Sequence, residues 1–231
     1  MNAWELLDSE EIAALPGAPA GLSVMALMRR GSEYVIRVGN RELMSSTQHA
    51  SEEALADLAC QRLGGRADAR VLVGGLGMGF TLAAALRGLG PDARVVVAEL
   101  MPAVVRWNRG PLGPLAGNPL DDPRVAVHEG DVAELIRTPP EPWSAILLDV
   151  DNGPTGMTRS TNDWLYTPRG VEASYAALEP DGIYGVWSAF PDDRFTRRMQ
   201  RAGFATEVEN VRSRGAKGGS RHYVWIGKAD G

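Results

Sequence analysis

The chain has 231 residues, enough for one full domain or for one domain with a short extension. Its net charge of −5 argues against a general nucleic-acid binder, because such proteins usually present a basic face. A single cysteine, Cys60, excludes an internal disulfide and a multi-cysteine zinc site and suits a reducing compartment. We therefore predict no nucleic-acid partner and no bound metal.

The sequence contains no segment typical of export or membrane insertion. Residues 1–11 are acidic and lack the basic region of a signal peptide. The longest uncharged run, residues 71–86, is interrupted by glycines and is shorter than the roughly 18 apolar residues that a membrane helix needs. We predict a soluble cytoplasmic protein without a membrane partner.

The N-terminal part of the chain has a different sequence pattern from the rest. Residues 22–44 contain apolar segments separated by two glycine-containing breaks, which predicts a small β-meander. Ser51 is the predicted N-cap of the first helix, because acidic residues that favour the helix dipole follow it. We predict a short N-terminal β extension over residues 1–50 and a larger second domain over residues 51–231.

A glycine-rich loop follows the first helix, in the sequence R-V-L-V-G-G-L-G-M-G-F-T of residues 70–81. A buried strand, a glycine turn and a helix form the layout in which bare backbone closes on a ligand at the head of a parallel sheet. Such a turn can also serve only close packing of strand and helix. A dinucleotide fingerprint would need glycine at 80, where Phe80 stands, so an NAD-linked enzyme is disfavoured. The G-x-G-x-G pattern that remains is typical of S-adenosylmethionine (SAM) enzymes, and the predicted cofactor-binding residues are Gly75, Gly77, Met78 and Gly79.

Strands and helices alternate after this loop, and two strands joined by a basic, glycine-rich hairpin end the chain. Repeated βα units predict an open parallel sheet with helices on both faces. Ligands of such sheets bind beyond the carboxyl ends of the strands.

Acidic residues stand where strands should end. Glu99 is predicted to accept hydrogen bonds from the ribose hydroxyls. The alternative is a charged side chain exposed to solvent at the end of the strand. Asp131, with Val132 beside it, is predicted to accept an adenine amine, to cap the next helix, or both. Asp149 and Asp151 are the candidate catalytic residues, since carboxylates there would stabilise a sulfonium or accept the proton of an amine. Their alternative is an Asx turn before Gly-Pro.

Other candidates have structural alternatives of equal or greater weight. Gln48 and His49 precede the first helix and could reach a substrate, although capping or solvation explains them as well. Tyr166 could form a wall of the substrate pocket or lie in the core. The basic hairpin of residues 212–222 could be a lid over the site, and a solvated hairpin is the commoner explanation.

The order and spacing of several motifs over residues 39–190 resemble the spermidine and spermine synthases, a family of aminopropyltransferases. The motifs are Val71-Leu-Val-Gly-Gly-Leu-Gly-Met-Gly-Phe-Thr-Leu, Val97-Ala-Glu-Leu, Glu129-Gly-Asp, Ala145-Ile-Leu-Leu-Asp, Gly153-Pro, Leu165-Tyr-Thr and Leu178-Glu-Pro-Asp-Gly-Ile-Tyr. The resemblance implies an α/β fold with a doubly wound, Rossmann-like, seven-stranded sheet of class I SAM-transferase type and a small N-terminal β-meander. It also suggests a homodimer.

The resemblance assigns roles to three of the acidic residues. Glu99 would hold the ribose, Asp131 the adenine amine, and Asp149 would face the amine acceptor. Two departures bear on the substrate. The family's glycine-loop aspartate, which helps to hold the amino group of decarboxylated SAM, falls on Met78.

The second departure follows Asp149, where the family's D-S-x-D-P becomes D-V-D-N-G-P. Either Asp151 substitutes for the second carboxylate or Asn152 stands there without charge, facing the substrate. A diamine site normally needs carboxylates for both ends of a dication, so this change weakens the prediction of polyamine specificity.

The sequence thus predicts a group transferase with a SAM-type sulfonium donor. We favour methyl transfer from intact SAM to a small-molecule acceptor, with an amine among the candidates. Met78 removes a carboxylate that would repel the carboxylate of SAM, and the altered Asp151-Asn152 segment weakens the case for a diamine site. The alternatives are an aminopropyltransferase that makes a polyamine from decarboxylated SAM, and a non-catalytic nucleoside-binding protein on the same fold.

Overall fold

The computed structural model describes residues 3–13, 22–150 and 163–231. The chain forms a four-stranded sheet followed by a seven-stranded sheet with helices on both faces. Two predicted site residues, Asp151 and Asn152, lie outside the described residues. Within the described ranges, no helix has the length and apolar character needed to cross a membrane.

The N-terminal sheet is an antiparallel meander whose strands pair in chain order. Its four strands are β1 (Glu5–Ala13), β2 (Leu22–Arg30), β3 (Glu33–Val38) and β4 (Arg41–Ser45). The sequence predicted the meander from residue 22 onward and missed β1. This strand is rich in acidic residues, and its pairing with β2 shifts register between Leu6 and Asp8, which breaks the alternation that identifies a strand.

The second sheet confirms the predicted class I fold. Its strands are β5 (Arg70–Gly74), β6 (Arg94–Glu99), β7 (Val125–Glu129), β8 (Trp143–Leu148), β9 (Leu178–Ser188), β10 (Ala205–Arg212) and β11 (Arg221–Lys228). They lie in the order β10-β11-β9-β8-β5-β6-β7. β11 is antiparallel to both its neighbours, and the pairs from β9 to β7 are parallel. The strand order reverses at β5, which is where such sheets bind ligands.

Helices cover both faces of this sheet. They are α1 (Ala50–Leu63), α2 (Phe80–Gly88), α3 (Pro102–Asn108), α4 (Val132–Arg137), α5 (Asp163–Tyr166), α6 (Pro168–Ala176) and α7 (Asp193–Arg201). Val71 and Val73 of β5 pack in one apolar cluster with α1, α2 and α3, and Leu72 between them packs in a second cluster with α4, α6 and α7. This follows from the alternation of side chains along a strand. The first cluster also contains β2 and β3 residues, so the meander shares the core of the larger sheet.

The start of α1 differs from the prediction that Ser51 is the N-cap. The N-cap is His49, and Ser51 is buried with its Oγ 2.7 Å from Nδ1 of His222 on β11. The backbone amides of Glu52 and Glu53 donate to the carbonyl of His49. The hydroxyl of Ser51 therefore serves a tertiary contact, which sequence-local capping rules do not foresee.

A polar contact holds the meander against α3. Oδ2 of Asp8 accepts hydrogen bonds from Nε1 of Trp107 at 2.7 Å and from the Arg106 guanidinium at 2.9 Å. Both bonds lower the pKa of Asp8, and the bond from Trp107 has the larger effect. The contact fixes the meander over the carboxyl ends of the parallel strands.

The glycine loop after β5 brings two chain segments unusually close. Gly75 has a φ of +88°, and a Cβ there would overlap the backbone carbonyl oxygen of Asp149. The amide of Gly75 donates to the carbonyl of Ala98 at 2.8 Å, and the amide of Asp149 donates to that of Gly74 at 2.8 Å. Position 75 therefore requires glycine both for backbone conformation and for space.

This close approach predicts a difference between two glycine substitutions. Gly65→Ala places a Cβ in open space at a φ of +76° and should cost about 1–2 kcal/mol of unfolding free energy, from the left-handed backbone alone. Gly75→Ala adds the overlap with Asp149 and should cost at least about 2 kcal/mol more. Urea unfolding of both variants measures the difference, and equal losses would contradict the close approach.

Candidate active site

A cavity with about 840 Å³ of empty space, part of it open to solvent, lies between the meander and the carboxyl ends of the parallel strands. Its sheet side carries six of the predicted site residues, namely Gly75, Gly77, Glu99, Asp131, Val132 and Asp149. Its meander side is apolar and is formed by Ile12, Met25, Ile36, Val38, Leu43 and Met44. The structure thus brings together residues that lie up to 74 positions apart, from Gly75 to Asp149.

The carboxylate of Glu99 is held in a fixed orientation at the end of β6. Its Oε2 accepts a hydrogen bond from the backbone amide of Leu76 at 2.9 Å, and its Oε1 accepts one from the backbone amide of Met101 at 2.8 Å. The residue is only 9% exposed. The solvated-charge alternative does not describe this residue, and its ribose role remains a prediction.

Asp131 is the N-cap of α4, with Oδ1 accepting the amide of Ala133 at 2.9 Å. The capping alternative is therefore correct, and Asp131 also lines the cavity. One carboxylate oxygen is engaged in the cap, and a carboxylate with a second oxygen can cap a helix and bind a ligand together.

Asp149 follows β8, and its Oδ2 accepts a hydrogen bond from the hydroxyl of Thr81 on α2 at 2.6 Å. Burial raises the pKa of Asp149 from its ordinary value of 3.8 to about 6, and the Thr81 hydrogen bond opposes this rise. A carboxyl group with a pKa of this size exchanges a proton near neutral pH, as a general acid or base must.

Glu52 lies in the first turn of α1, and the sequence analysis considered it only as an acidic residue that favours the helix dipole. Burial raises its pKa well above the ordinary value of 4.5, and the charges of Asp149 and then Glu53 raise it further. The sequence does hold a signal for this position. Glu52 is spaced three and seven residues from the buried Leu55 and Ala59, which puts all three on one helix face.

Met78 and Gly79 are not among the residues that line the cavity. The side chain of Met78 is 1% exposed and packs in the first apolar cluster, so the structure differs from the expectation that it lies beside the ligand. Gly79 is the N-cap of α2, and a Cβ there would contact Asn108 and Pro119. Only alternate positions of the loop, Gly75 and Gly77, face the cavity.

Gln48, His49 and Tyr166, which were candidates for substrate binding, make contacts away from the cavity. Oε1 of Gln48 accepts a hydrogen bond from the hydroxyl of Ser213 at 3.2 Å. The ring of His49 stacks on Phe80 with centroids 4.1 Å apart. Tyr166 is buried in the second apolar cluster, edge-on to Phe195. None of the three lines the cavity as described, so their substrate roles stay predictions.

The charged side chains among the described residues of the cavity all have the same sign. Among the described residues that line it, the ionisable side chains are Glu99, Asp131 and Asp149, and no lysine, arginine or histidine is present. A cleft lined by carboxylates concentrates cations. The apolar meander side strengthens this preference, because it lowers the local dielectric constant.

Several solved structures share this architecture. The spermidine synthase from Thermotoga maritima has a TM-score of 0.72 at 18% identity, over 96% of this chain and 72% of that chain. A spermidine synthase in complex with the transition-state analogue AdoDATO has a TM-score of 0.71 at 18% identity, with the same coverage of both chains. The chain has the spermidine synthase fold.

A methyltransferase is also similar. The O-methyltransferase TomG from Streptomyces achromogenes, in complex with SAM, has a TM-score of 0.54 at 15% identity, over 79% of this chain and 80% of that chain. No family model and no curated protein matches the chain. At these identities the shared property is the fold, which is that of SAM-dependent transferases.

The raised pKa of Asp149 predicts that a neutral residue stabilises the fold above pH 6. Because the folded-state pKa of about 6 exceeds the ordinary value of 3.8, the penalty for the ionised carboxyl develops between these values and is complete above them. Asp149→Asn should therefore increase the unfolding free energy by about 1–3 kcal/mol at pH 8, and by less at pH 5. Urea unfolding at both pH values tests this, and an equal gain at both would contradict it.

Proposed function

We propose that this protein transfers an aminopropyl group from decarboxylated SAM to a small amine. The observation that carries the proposal is the charge of the cavity, which has three carboxylates and, among its described residues, no basic side chain. The spermidine synthase fold supports it. The preference stated from the sequence, for intact SAM, is reversed.

The argument concerns the charges of the two donors. Intact SAM carries a carboxylate beside its ammonium and sulfonium groups, whereas decarboxylated SAM carries only the two positive charges. At an effective dielectric constant near 20, unit charges about 4 Å apart interact by roughly 4 kcal/mol. Glu99 and Asp131 would hold the adenosyl group that both donors share, so Asp149 is the carboxylate whose charge distinguishes them, and it favours the donor without a carboxylate.

The residues of the cavity fit an adenosyl group. Glu99, held by two backbone amides, would accept ribose hydroxyls. Asp131 would accept the adenine amine, with Val132 packing beside the ring. Gly75 and Gly77 let the backbone approach the donor, because a side chain at either position would be obstructed by Asp149 or Met44.

The chemistry requires a neutral amine held in line with a carbon–sulfur bond. When bound, the donor supplies a methylene carbon attached to a positively charged sulfur. The amine nitrogen forms a bond to this carbon while the carbon–sulfur bond breaks and its electron pair stays on sulfur. Asp149 would accept the nitrogen's proton and later release it to solvent, a task that suits its pKa of about 6. Positioning supplies most of the remaining acceleration.

Methyl transfer from intact SAM is the second candidate. The observation that favours it is the glycine loop itself, since residues 74–79 carry no carboxylate that would repel the carboxylate of SAM. A third candidate, a non-catalytic nucleoside-binding protein, would use the same cavity without turnover.

Product analysis separates the three candidates. The protein is incubated with SAM or decarboxylated SAM and a panel of mono-, di- and polyamines, and the nucleoside products are identified by mass spectrometry. Aminopropyl transfer leaves methylthioadenosine, whereas methyl transfer leaves S-adenosylhomocysteine. We expect methylthioadenosine from decarboxylated SAM. S-adenosylhomocysteine would establish the second candidate, and tight nucleoside binding without either product would establish the third.

Calorimetric titration tests the charge argument directly. We expect decarboxylated SAM to bind at least tenfold more tightly than SAM, which corresponds to about 1.4 kcal/mol. Equal affinities, or tighter binding of SAM, would overturn the electrostatic basis of the proposal even if the protein is a transferase.

Asp131→Asn should weaken the binding of adenine ligands without disturbing α4. The asparagine keeps a capping oxygen for Ala133, but its amide nitrogen cannot accept a bond from adenine. Asp192→Asn is the matched control, because Asp192 caps α7 in the same way through Arg194 and Phe195. We expect Asp131→Asn to lose about tenfold in affinity for methylthioadenosine by calorimetry, and Asp192→Asn to bind as the unsubstituted protein does. Equal effects of the two variants would rule out the adenine contact.

A further inference from the structure

Thr81 joins three segments of the site through one hydroxyl group. It is the second residue of α2 and is 2% exposed. Its Oγ1 lies 2.6 Å from Oδ2 of Asp149 and 3.3 Å from the backbone carbonyl oxygen of Glu52. No role was assigned to Thr81 from the sequence.

A hydroxyl group has one proton to donate and lone pairs to accept, so these two contacts serve different protonation states. When Asp149 is ionised, Thr81 donates to Oδ2. When Asp149 is protonated, the carboxyl can donate to Oγ1, and Thr81 can then turn its own proton to the carbonyl of Glu52. A hydrogen bond between Thr81 and Asp149 is retained in both states, and it is stronger to the ionised carboxylate, because hydrogen bonds to a charged group are the stronger ones.

The backbone of Asp149 is fixed independently of Thr81. Its amide donates to the carbonyl of Gly74 at 2.8 Å, and its carbonyl packs against Gly75. The remaining freedom of Asp149 is rotation of its side chain, which the Thr81 hydroxyl restrains. Among the described residues only Oδ2 is engaged by a side chain, so Oδ1 is the oxygen that we assign to the substrate.

We propose that Thr81 is a positioning residue for Asp149, whose hydroxyl holds the carboxyl group in one orientation through both protonation states. The proposal rests on the proposed function, in which Asp149 accepts the proton of the acceptor amine. A group that gains and loses a proton in each turnover keeps its geometry only if its restraining partner can both donate and accept. Valine, of the same shape as threonine, cannot do either.

The charged groups around Asp149 come from several elements, and their positions define the experiment. Among the described residues they are Glu52 and Glu53 on α1, with His49 and Arg87 paired to Glu53, and Glu99 and Asp131 at the neighbouring strand ends. Burial is the main cause that raises the pKa of Asp149, and the Thr81 bond lowers it. Removal of the hydroxyl should therefore raise this pKa further.

The first experiment needs neither ligand nor activity. Carboxyl groups are labelled with ¹³C-aspartate, the Asp149 signal is assigned with Asp149→Asn, and its titration is followed by NMR in the unsubstituted protein, Thr81→Val and Thr81→Ser. We expect Thr81→Val to move the midpoint up by about one pH unit and Thr81→Ser to restore it. Because Glu52 and Asp149 influence each other, the series is repeated with Glu52→Gln so that the remaining midpoint belongs to Asp149.

Thr196→Val is the matched control. Thr196 on α7 also uses its hydroxyl inside the fold, accepting a hydrogen bond from Nε1 of Trp225 at 2.8 Å, whereas Thr81 donates to Asp149. The control should leave the Asp149 midpoint unchanged. An unchanged midpoint in Thr81→Val would overturn the proposal, and so would an equal shift in Thr196→Val. If Thr81→Val does not fold, Thr81→Ala supplies the same comparison.

The second experiment uses the transfer reaction. Thr81→Val should lower kcat at least tenfold with little change in the KM of the donor, and should move the acid limb of the kcat profile upward, while Thr81→Ser retains most of the activity. A loss confined to KM would contradict a role through Asp149. If the unsubstituted protein transfers neither group, the proposed function fails, and the NMR titration still decides the role of Thr81.

Discussion

The contact between Gly75 and the backbone of Asp149 is the constraint on which the site depends. Because residue 75 has no side chain and adopts a φ of +88°, the end of β8 lies directly against the glycine loop. This places the Asp149 carboxyl within reach of Thr81 on α2 and at the edge of the cavity. A side chain at 75 would separate these segments, and the hydroxyl that holds Asp149 would lose its partner.

The meander shapes the cavity, although none of its described residues that line the cavity is charged. Ile12, Met25, Ile36 and Val38 close one side of the cavity with apolar groups, and the contact of Asp8 with Trp107 holds the sheet in place. Apolar surroundings disfavour the ionised form of a carboxyl group, which is why the pKa of Asp149 rises to about 6.

The sequence predicted the sheet and the sheet side of the cavity because both follow from topology. In parallel strands the carboxyl ends meet at one edge, so acidic residues after three strands had to come together, as Glu99, Asp131 and Asp149 do. The direction of a side chain in an irregular loop does not follow from spacing, and Met78 turned to the core. Glu52 was missed because its surroundings depend on how α1 packs, and β1 because a register shift hides its alternation.

Our proposed donor differs from the one favoured by the sequence, SAM, because spacing along the chain does not show which side chains face the cavity. A motif comparison weighs one position at a time, and at position 78 it finds a methionine where an aspartate is expected. The affinity of a cavity for a charged ligand depends instead on the sum of all charges near the ligand and on the dielectric constant between them. Since Met78 is in the core and three carboxylates line the cavity, the loss of one acidic residue from the motif leaves the sign of the field unchanged. The proposed preference for decarboxylated SAM therefore rests on the cavity as a whole.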